Sequence, residues 1–344
     1  MEPAERKLKI LEAVVEEFIH TGEPVGSKTL CGALEFSVSS ATIRNDMAEL
    51  GSLGLLNQPH TSSGRVPTAM GYRVYVDKLM KPLPLTKQER RLIDESLYSS
   101  ADAPEHILTE TAALLAKMTG FAAVATSPPG DKALIRNIRI VQTGRQTAMV
   151  VLITSTGTIK TRLFRCDYVL TRQIVEMFET ELNKRLTNMP VGGITPAFVQ
   201  SAAVSMGELS MFMPNLLLAV HSAARDAAST SVAIKGHMNL LATLRVSMKN
   251  IRTLTDLFSH SSSLADFLLS EERDKTGIII GGEAEYPGLS DISILVAGYR
   301  AADNCSGAAA IVGPIRMNYA KTVSLLEYAA QTAGTLLSEF PDGD

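Results

Sequence analysis

The run Lys81-Pro82-Leu83-Pro84-Leu85 places two prolines one residue apart. Proline lacks an amide donor and its ring clashes with the preceding helical turn, so no helix continues through this run. It divides the chain into an N-terminal unit of about 80 residues and a long remainder. At 344 residues the chain is too long for one growing core and is expected to form two or three domains. Hydrophobic residues make up 45% and charged residues 20%, as in globular proteins. With aromatics at 5% and no tryptophan, the core has to be aliphatic.

Within the N-terminal unit, Leu8, Leu11, Val14, Val15, Phe18 and Ile19 recur at helical spacing from Glu5 to His20. Thr21-Gly22-Glu23-Pro24 ends that helix, and Ser27 is expected to cap a short one reaching Leu34. A turn at Phe36-Ser37-Val38 leads to a third helix from about Ala41 to Leu53. Its Ile43, Met47 and Leu50 share one face, while Ala41, Asn45 and Glu49 lie opposite, flanked by Thr42 and Arg44. A short strand (Leu55 to Gln58), a polar tip (Pro59 to Gly64) and a return at Arg65-Val66 follow, then a helix from Thr68 to Met80. Helix, helix, turn, helix, hairpin is the order of a winged helix-turn-helix.

Beyond the linker, Thr86 to Tyr98 and Glu105 to Thr119 are helical by period. Strands are expected at Phe121 to Thr126, Ile135 to Gln142, Thr147 to Thr154 and Thr158 to Arg165. Helical pattern returns from Thr171 to Leu186 and from Ala197 to Ala228. Two more helical segments precede strands at Thr276 to Ile280, Ile292 to Tyr299 and Ala308 to Val312, and a last helix spans Tyr319 to Leu337. Strands on both sides of a helical block imply an α+β fold with a helical insertion. The expected division is 1–80, 86–170, an insertion at 171–235, and 236–344.

A major-groove helix presents short polar side chains and arginine near its N-terminus. Ser39, Ser40, Thr42, Arg44 and Asn45 supply that set, since Asn pairs with adenine and Arg with guanine. His60, Thr61, Ser62, Ser63 and Arg65 have the composition of a wing that touches backbone or minor groove, with Gly64 relieving the turn. Bulk charge argues the other way. Net charge is −3, and residues 1–80 carry eight basic against ten acidic side chains, six of the acids before residue 24. Arg44, Arg65 and Arg73 nevertheless fall where contacts to DNA would be needed. The competing reading is a winged helix used for protein contacts or effector sensing and not for DNA.

Other classes find less support. The six histidines show no paired spacing, and no nucleophile–base arrangement or phosphate loop is present, so an enzyme is not expected. Cys31, Cys166 and Cys305 are too few and too scattered for a disulfide framework or a metal site. Gly281-Gly282, near Glu283 and Glu285, reads as a tight turn rather than a ligand loop. The longest uncharged stretch, Leu186 to Gly207, is broken by Pro190, Gly192, Gly193 and Pro196. No membrane partner and a cytoplasmic location are therefore expected. Met211-Phe212-Met213 with Leu216-Leu217-Leu218 reads either as core or as a subunit interface.

The runs Gly22 to Leu30, Ser40 to Met47, Gln58 to Thr68 and Gly71 to Asp77 closely resemble the HrcA family of heat-inducible transcription repressors. Thinner likeness continues at His237 to Leu241, Ile280 to Glu283, Ser290 to Ser293 and Gly313 to Tyr319. Gly51, Ala242-Thr243-Leu244-Arg245 and Ile315 depart from the family pattern. The resemblance implies a winged-helix domain followed by a GAF-like domain that carries an inserted dimerisation domain. It further implies a homodimer, without cofactor, that binds an inverted-repeat operator in double-stranded DNA upstream of chaperone operons. Repression would last until heat stress, with a GroEL-type chaperonin as partner.

Overall fold

The computed structural model describes residues 2–34, 36, 38–60, 63–205, 213–239, 255, 258–259, 261–270, 276–284, 290–301 and 306–339. The fold is α+β. Helix α1 (Pro3–Thr21) is followed by α2 (Ser27–Ala33) and α3 (Ser40–Ser52). A two-stranded antiparallel ladder of β1 (Leu56–Asn57) and β2 (Val66–Pro67) comes next, then α4 (Ala69–Val74), which runs on as a π-helical turn, Tyr75–Leu79. Ser27 does not cap α2. Gly26 holds the N-cap position, and Ser27 bonds across to α3 instead. The linker is not a free tether, because the Leu83 amide donates to the Ala320 carbonyl at 3.0 Å and Leu85 is buried.

Past the linker, α5 (Lys87–Ser99) starts with a capping box formed by Thr86 and Glu89. It leads through α6 (Pro104–Thr119) to β3 (Ala122–Thr126). The chain then leaves to form β4 (Ile135–Gln142), β5 (Thr147–Thr154) and β6 (Ile159–Arg165), followed by α7 (Arg172–Leu186), α8 (Pro196–Ser205) and α9 (Pro214–Ala228). It returns as β7 (Val232–Lys235), which pairs with β3. Helix α10 (Ser261–Leu269), β8 (Gly277–Ile280), β9 (Ile292–Arg300), β10 (Ser306–Pro314) and α11 (Tyr319–Glu339) complete the fold.

The central sheet is antiparallel, in the order β7-β3-β10-β9-β8. Its strands read as continuous apolar runs because both faces are covered, by α6 and α11 on one side and α10 on the other. The second sheet, β4-β5-β6, shares its core with α7 and α9 and not with the central sheet. Its strand β5 alternates strictly between buried and half-buried residues, as a sheet covered on one face should.

Two readings of the sequence change here. Among the described residues, the helical stretch expected from Ala197 to Ala228 holds two helices, the second opened by Pro214 at its first position. Met213, Leu216 and Leu217 are core, whereas Leu218 is 61% exposed. Met211 and Phe212 lie outside the described residues, as do Ser37, Leu240, Leu241, Glu285 and Cys305. Among the described residues no helix is long and apolar enough to cross a membrane.

Helix α4 sits so close to the hairpin that a Cβ at Gly71 would lie 2.2 Å from the Leu55 carbonyl oxygen. Backbone cannot yield as a flexible side chain can, so Gly71→Ala should lose about 1–3 kcal/mol of stability, measured by denaturant unfolding. A wild-type midpoint would mean that α4 shifts without cost.

Candidate nucleic-acid interface

Helix α3 is held by its cap, its neighbour helix and its buried face. The Thr42 amide donates to Ser39 Oγ at 3.1 Å, and the hydroxyls of Ser39 and Thr42 bond to each other at 2.8 Å. Ser40 Oγ meets Ser27 Oγ at 3.0 Å, which ties the starts of α2 and α3 together. Ile43, Met47 and Leu50 are buried. Ala41, Arg44, Asn45, Ala48 and Glu49 are exposed, as the helical period predicts. The side chains of Arg44 and Asn45 make no hydrogen bond or ion pair among the described residues.

An unforeseen ion pair fixes the angle of this helix. Asp46 points inward with a side chain only 6% exposed, and Arg6 of α1 grips both of its oxygens, at 2.7 and 3.1 Å. That hydrogen bonding raises the Arg6 pKa above its ordinary value, outweighing the opposing effect of desolvation. Lys7 reaches Glu49 at 2.5 Å one turn further along. A sequence signal for this existed, because an acid at the apolar face of α3 needs a partner.

His60 and Ser63 tie the two sides of the hairpin tip together. Ser63 Oγ donates to the His60 carbonyl at 2.6 Å and accepts from the His60 amide at 2.9 Å. His60 is exposed, while Thr61 and Ser62 lie outside the described residues. Arg65 and Val25 exchange backbone hydrogen bonds of 2.8 and 2.9 Å, so the return strand is stitched to the segment between α1 and α2. Gly64 is needed for this approach and not for a left-handed turn, since a Cβ there would lie 2.4 Å from the Val25 carbonyl oxygen. The half-buried Arg65 side chain leans toward Gly51, at the end of α3.

Arg73 is not part of this surface. It turns inward to Glu283, Asp77 and the Ile278 carbonyl. Glu283 also accepts the Ile280 amide at 2.8 Å, so the Gly281-Gly282 segment closes a structural turn. Burial opposes ionisation of Glu283, but hydrogen bonds from Arg73 and Ile280 and the Arg73 charge hold its carboxyl below the usual range.

On the other side of α1, a cleft of about 750 Å³ opens between Glu12, Glu16 and Tyr75 on one hand and Lys81, Arg316 and Asn318 on the other. Burial, and then the Glu12 charge, push the Glu16 carboxyl above its usual range, against a 3.4 Å hydrogen bond from Tyr75. Among the described residues no three His, Cys, Asp or Glu side chains converge as a metal site would require.

The comparisons with known proteins agree with one another. The family described as the HrcA protein C terminal domain matches residues 105–323. A heat-inducible transcription repressor HrcA from Acetivibrio thermocellus is 31% identical over 94% of this chain and 93% of its own length. One from Clostridium botulinum is 31% identical over 97% of this chain and 98% of its own. A crystal structure of a hypothetical protein, 24% identical, shares the fold with a TM-score of 0.68 over 97% of this chain and 98% of that one. The chain is thereby a transcription repressor and not an enzyme. It belongs to the HrcA family of heat-inducible transcription repressors.

Asp46→Ala should lower the thermal midpoint of the N-terminal unit clearly, because it strands Arg6 against α3. Glu49→Ala, which loses a more exposed pair, should stay within about 0.5 kcal/mol of wild type. Equal effects in thermal melts would mean that the buried pair does not hold the helix.

Proposed function

We propose that the chain is a homodimeric repressor that reads an inverted-repeat operator upstream of chaperone operons through the exposed face of α3. The observation that carries this reading is the pairing of two unengaged side chains, Arg44 and Asn45, on a helix locked from behind by Arg6 and Asp46. Ser39, Ser40 and Thr42 stand at the N-terminus of the same helix, where amides and hydroxyls suit a phosphate. His60, Thr61, Ser62, Ser63 and Arg65 form the wing of a winged helix-turn-helix in this reading. The acidic bulk balance is then no obstacle, because six of the ten acids of residues 1–80 precede residue 24, on α1 or just beside its ends.

The bounds of the insertion follow from how the cores divide, while the N-terminal unit is set off at the linker and shares a core with the central sheet. Residues 1–80 are the winged-helix domain, and the central sheet with α5, α6, α10 and α11 is the GAF-like domain. The inserted dimerisation domain runs from about 127 to 231, wider at its start than the 171–235 expected from periodicity. Strands β4–β6 share a core with α7–α9, and β7 pairs with β3, which supports the shift. The open face of β5 and its neighbours suits a second copy of the chain. Val141, Met149 and Leu163 form one row across three strands, with Leu163 71% exposed. Isologous contact of such a face closes a two-fold dimer.

In a dimer two reading heads meet successive turns of one DNA face, about 34–36 Å apart. Heat would release the operator by loosening a marginally stable, aliphatic protein, and a GroEL-type chaperonin would return it to the competent state. The interdomain cleft favours a second reading, in which the winged helix serves effector sensing without DNA.

Gel shifts on the chain's own chaperone promoter separate the two. Arg44→Ala and Asn45→Ala should each weaken operator binding by about 1–3 kcal/mol with an unchanged melting curve. Binding indifferent to these changes, or to scrambling one half-site, would sink the repressor reading. Leu163→Asp should convert the dimer to monomer in sedimentation, and a persistent dimer would move the interface elsewhere.

A further inference from the structure

Among the described residues, the ion pair that joins the reading unit to the central sheet lies on one side of their junction. Arg73 of α4 sends Nε and Nη2 to the two oxygens of Glu283, at 2.9 and 2.5 Å. Nη2 also reaches the Ile278 carbonyl at 2.5 Å, and Nη1 reaches Asp77 at 3.0 Å. Glu283 is itself anchored, since it accepts the Ile280 amide at the end of β8. The fork of one side chain thus joins α4 to the edge strand of the sheet, across 210 residues of sequence.

The remaining ties at this junction set position less sharply. The Tyr72 and Tyr319 rings meet at 5.8 Å and a tilt of 51°, and Tyr72 is 1% exposed with its hydroxyl unpartnered. Apolar contact has no preferred direction, and an unsatisfied hydroxyl works against the docked arrangement. On the far side lies the cleft, where Glu12, Glu16, Lys81 and Arg316 line the walls without an ion pair among the described residues. A bidentate arginine–carboxylate contact, by contrast, fixes angle as well as distance.

We propose that Arg73 and Glu283 are positioning residues for operator binding, which set the angle of the reading unit and so the half-site spacing that the dimer accepts. The inference rests on the DNA-binding reading above. Once one half-site is held, the second binds intramolecularly, with an effective concentration that depends on how well the heads are aimed. A unit hinged freely at α4 would still read bases, because every residue of the α3 face is untouched. It would lose the gain from having both heads aligned, and it would tolerate wrong spacings better.

The test uses the full chain with Glu283→Gln, Glu283→Ala and Arg73→Lys. The probes are duplexes made from the inverted repeat of its own chaperone promoter: one half-site, the intact repeat, and the repeat with five base pairs inserted. Melting curves show that each variant is folded. Single half-site binding should stay within about twofold of wild type, while binding to the intact repeat falls about tenfold and discrimination against the insertion shrinks. Arg73→Lys keeps the charge but not the fork, so it should broaden the spacing preference as well. An unchanged spacing preference, or loss of single half-site binding by a folded variant, would overturn the inference. If wild type binds none of the duplexes, it is the DNA-binding reading underneath that fails.

Discussion

The pairing of β3 with β10 dictates the plan of this molecule. Thr126 and Ala308 face each other in adjacent strands, 182 residues apart in sequence, and the Ala308 amide donates to the Thr126 hydroxyl at 3.1 Å. The chain that follows β3 has to leave the central sheet and return to it as β7 before β8 and β9 are laid down. The excursion comes back as β7 and pays for itself by building a separate core of aliphatic side chains from β4–β6 and α7–α9. The cost of closing so long a loop grows only slowly with its length, so an insertion of this size is tolerated once it is self-sufficient.

The same sheet gives the N-terminal unit a platform. Core residues of α1, α3 and α4 run without a break into those of α6, α11 and the central strands. Directional contacts are few by comparison. Arg6 and Asp46 orient α3 within the unit, and Arg73 and Glu283 orient the unit on the sheet. Apolar burial holds the parts together, while two guanidinium–carboxylate pairs decide how they point.

Elements with a strong period were legible from sequence alone. Strict alternation or helical spacing placed α1, α3, α6, β5 and α11 within one or two residues. The exposed face of α3 was legible for the same reason, since burial of Ile43, Met47 and Leu50 leaves Arg44 and Asn45 outside. What escaped was long-range. Strand β7 has four residues and no alternation, and only its partner β3 reveals it. Arg73 looked like one more basic residue near DNA until Glu283, far away in sequence, claimed it. Ser27 reads as a cap by type, yet Gly26 occupies that position because Ser27 is drawn to Ser40. Periodicity reports which face is buried, but not against what.

The separation of β3 from β10 also has a consequence during synthesis. A ribosome adding about 5–20 residues per second needs roughly 10–35 s to deliver β10 after β3 has emerged. Strand β7 can take one edge of β3 partway through that interval, but the other edge, Ala122 to Thr126, stays open until the last part of the chain appears. The nascent protein therefore carries an alanine-rich strand with one edge open for much of its birth, long after its N-terminal helices have left the tunnel. Its yield of folded product should be set less by final stability than by what shields that edge while translation finishes.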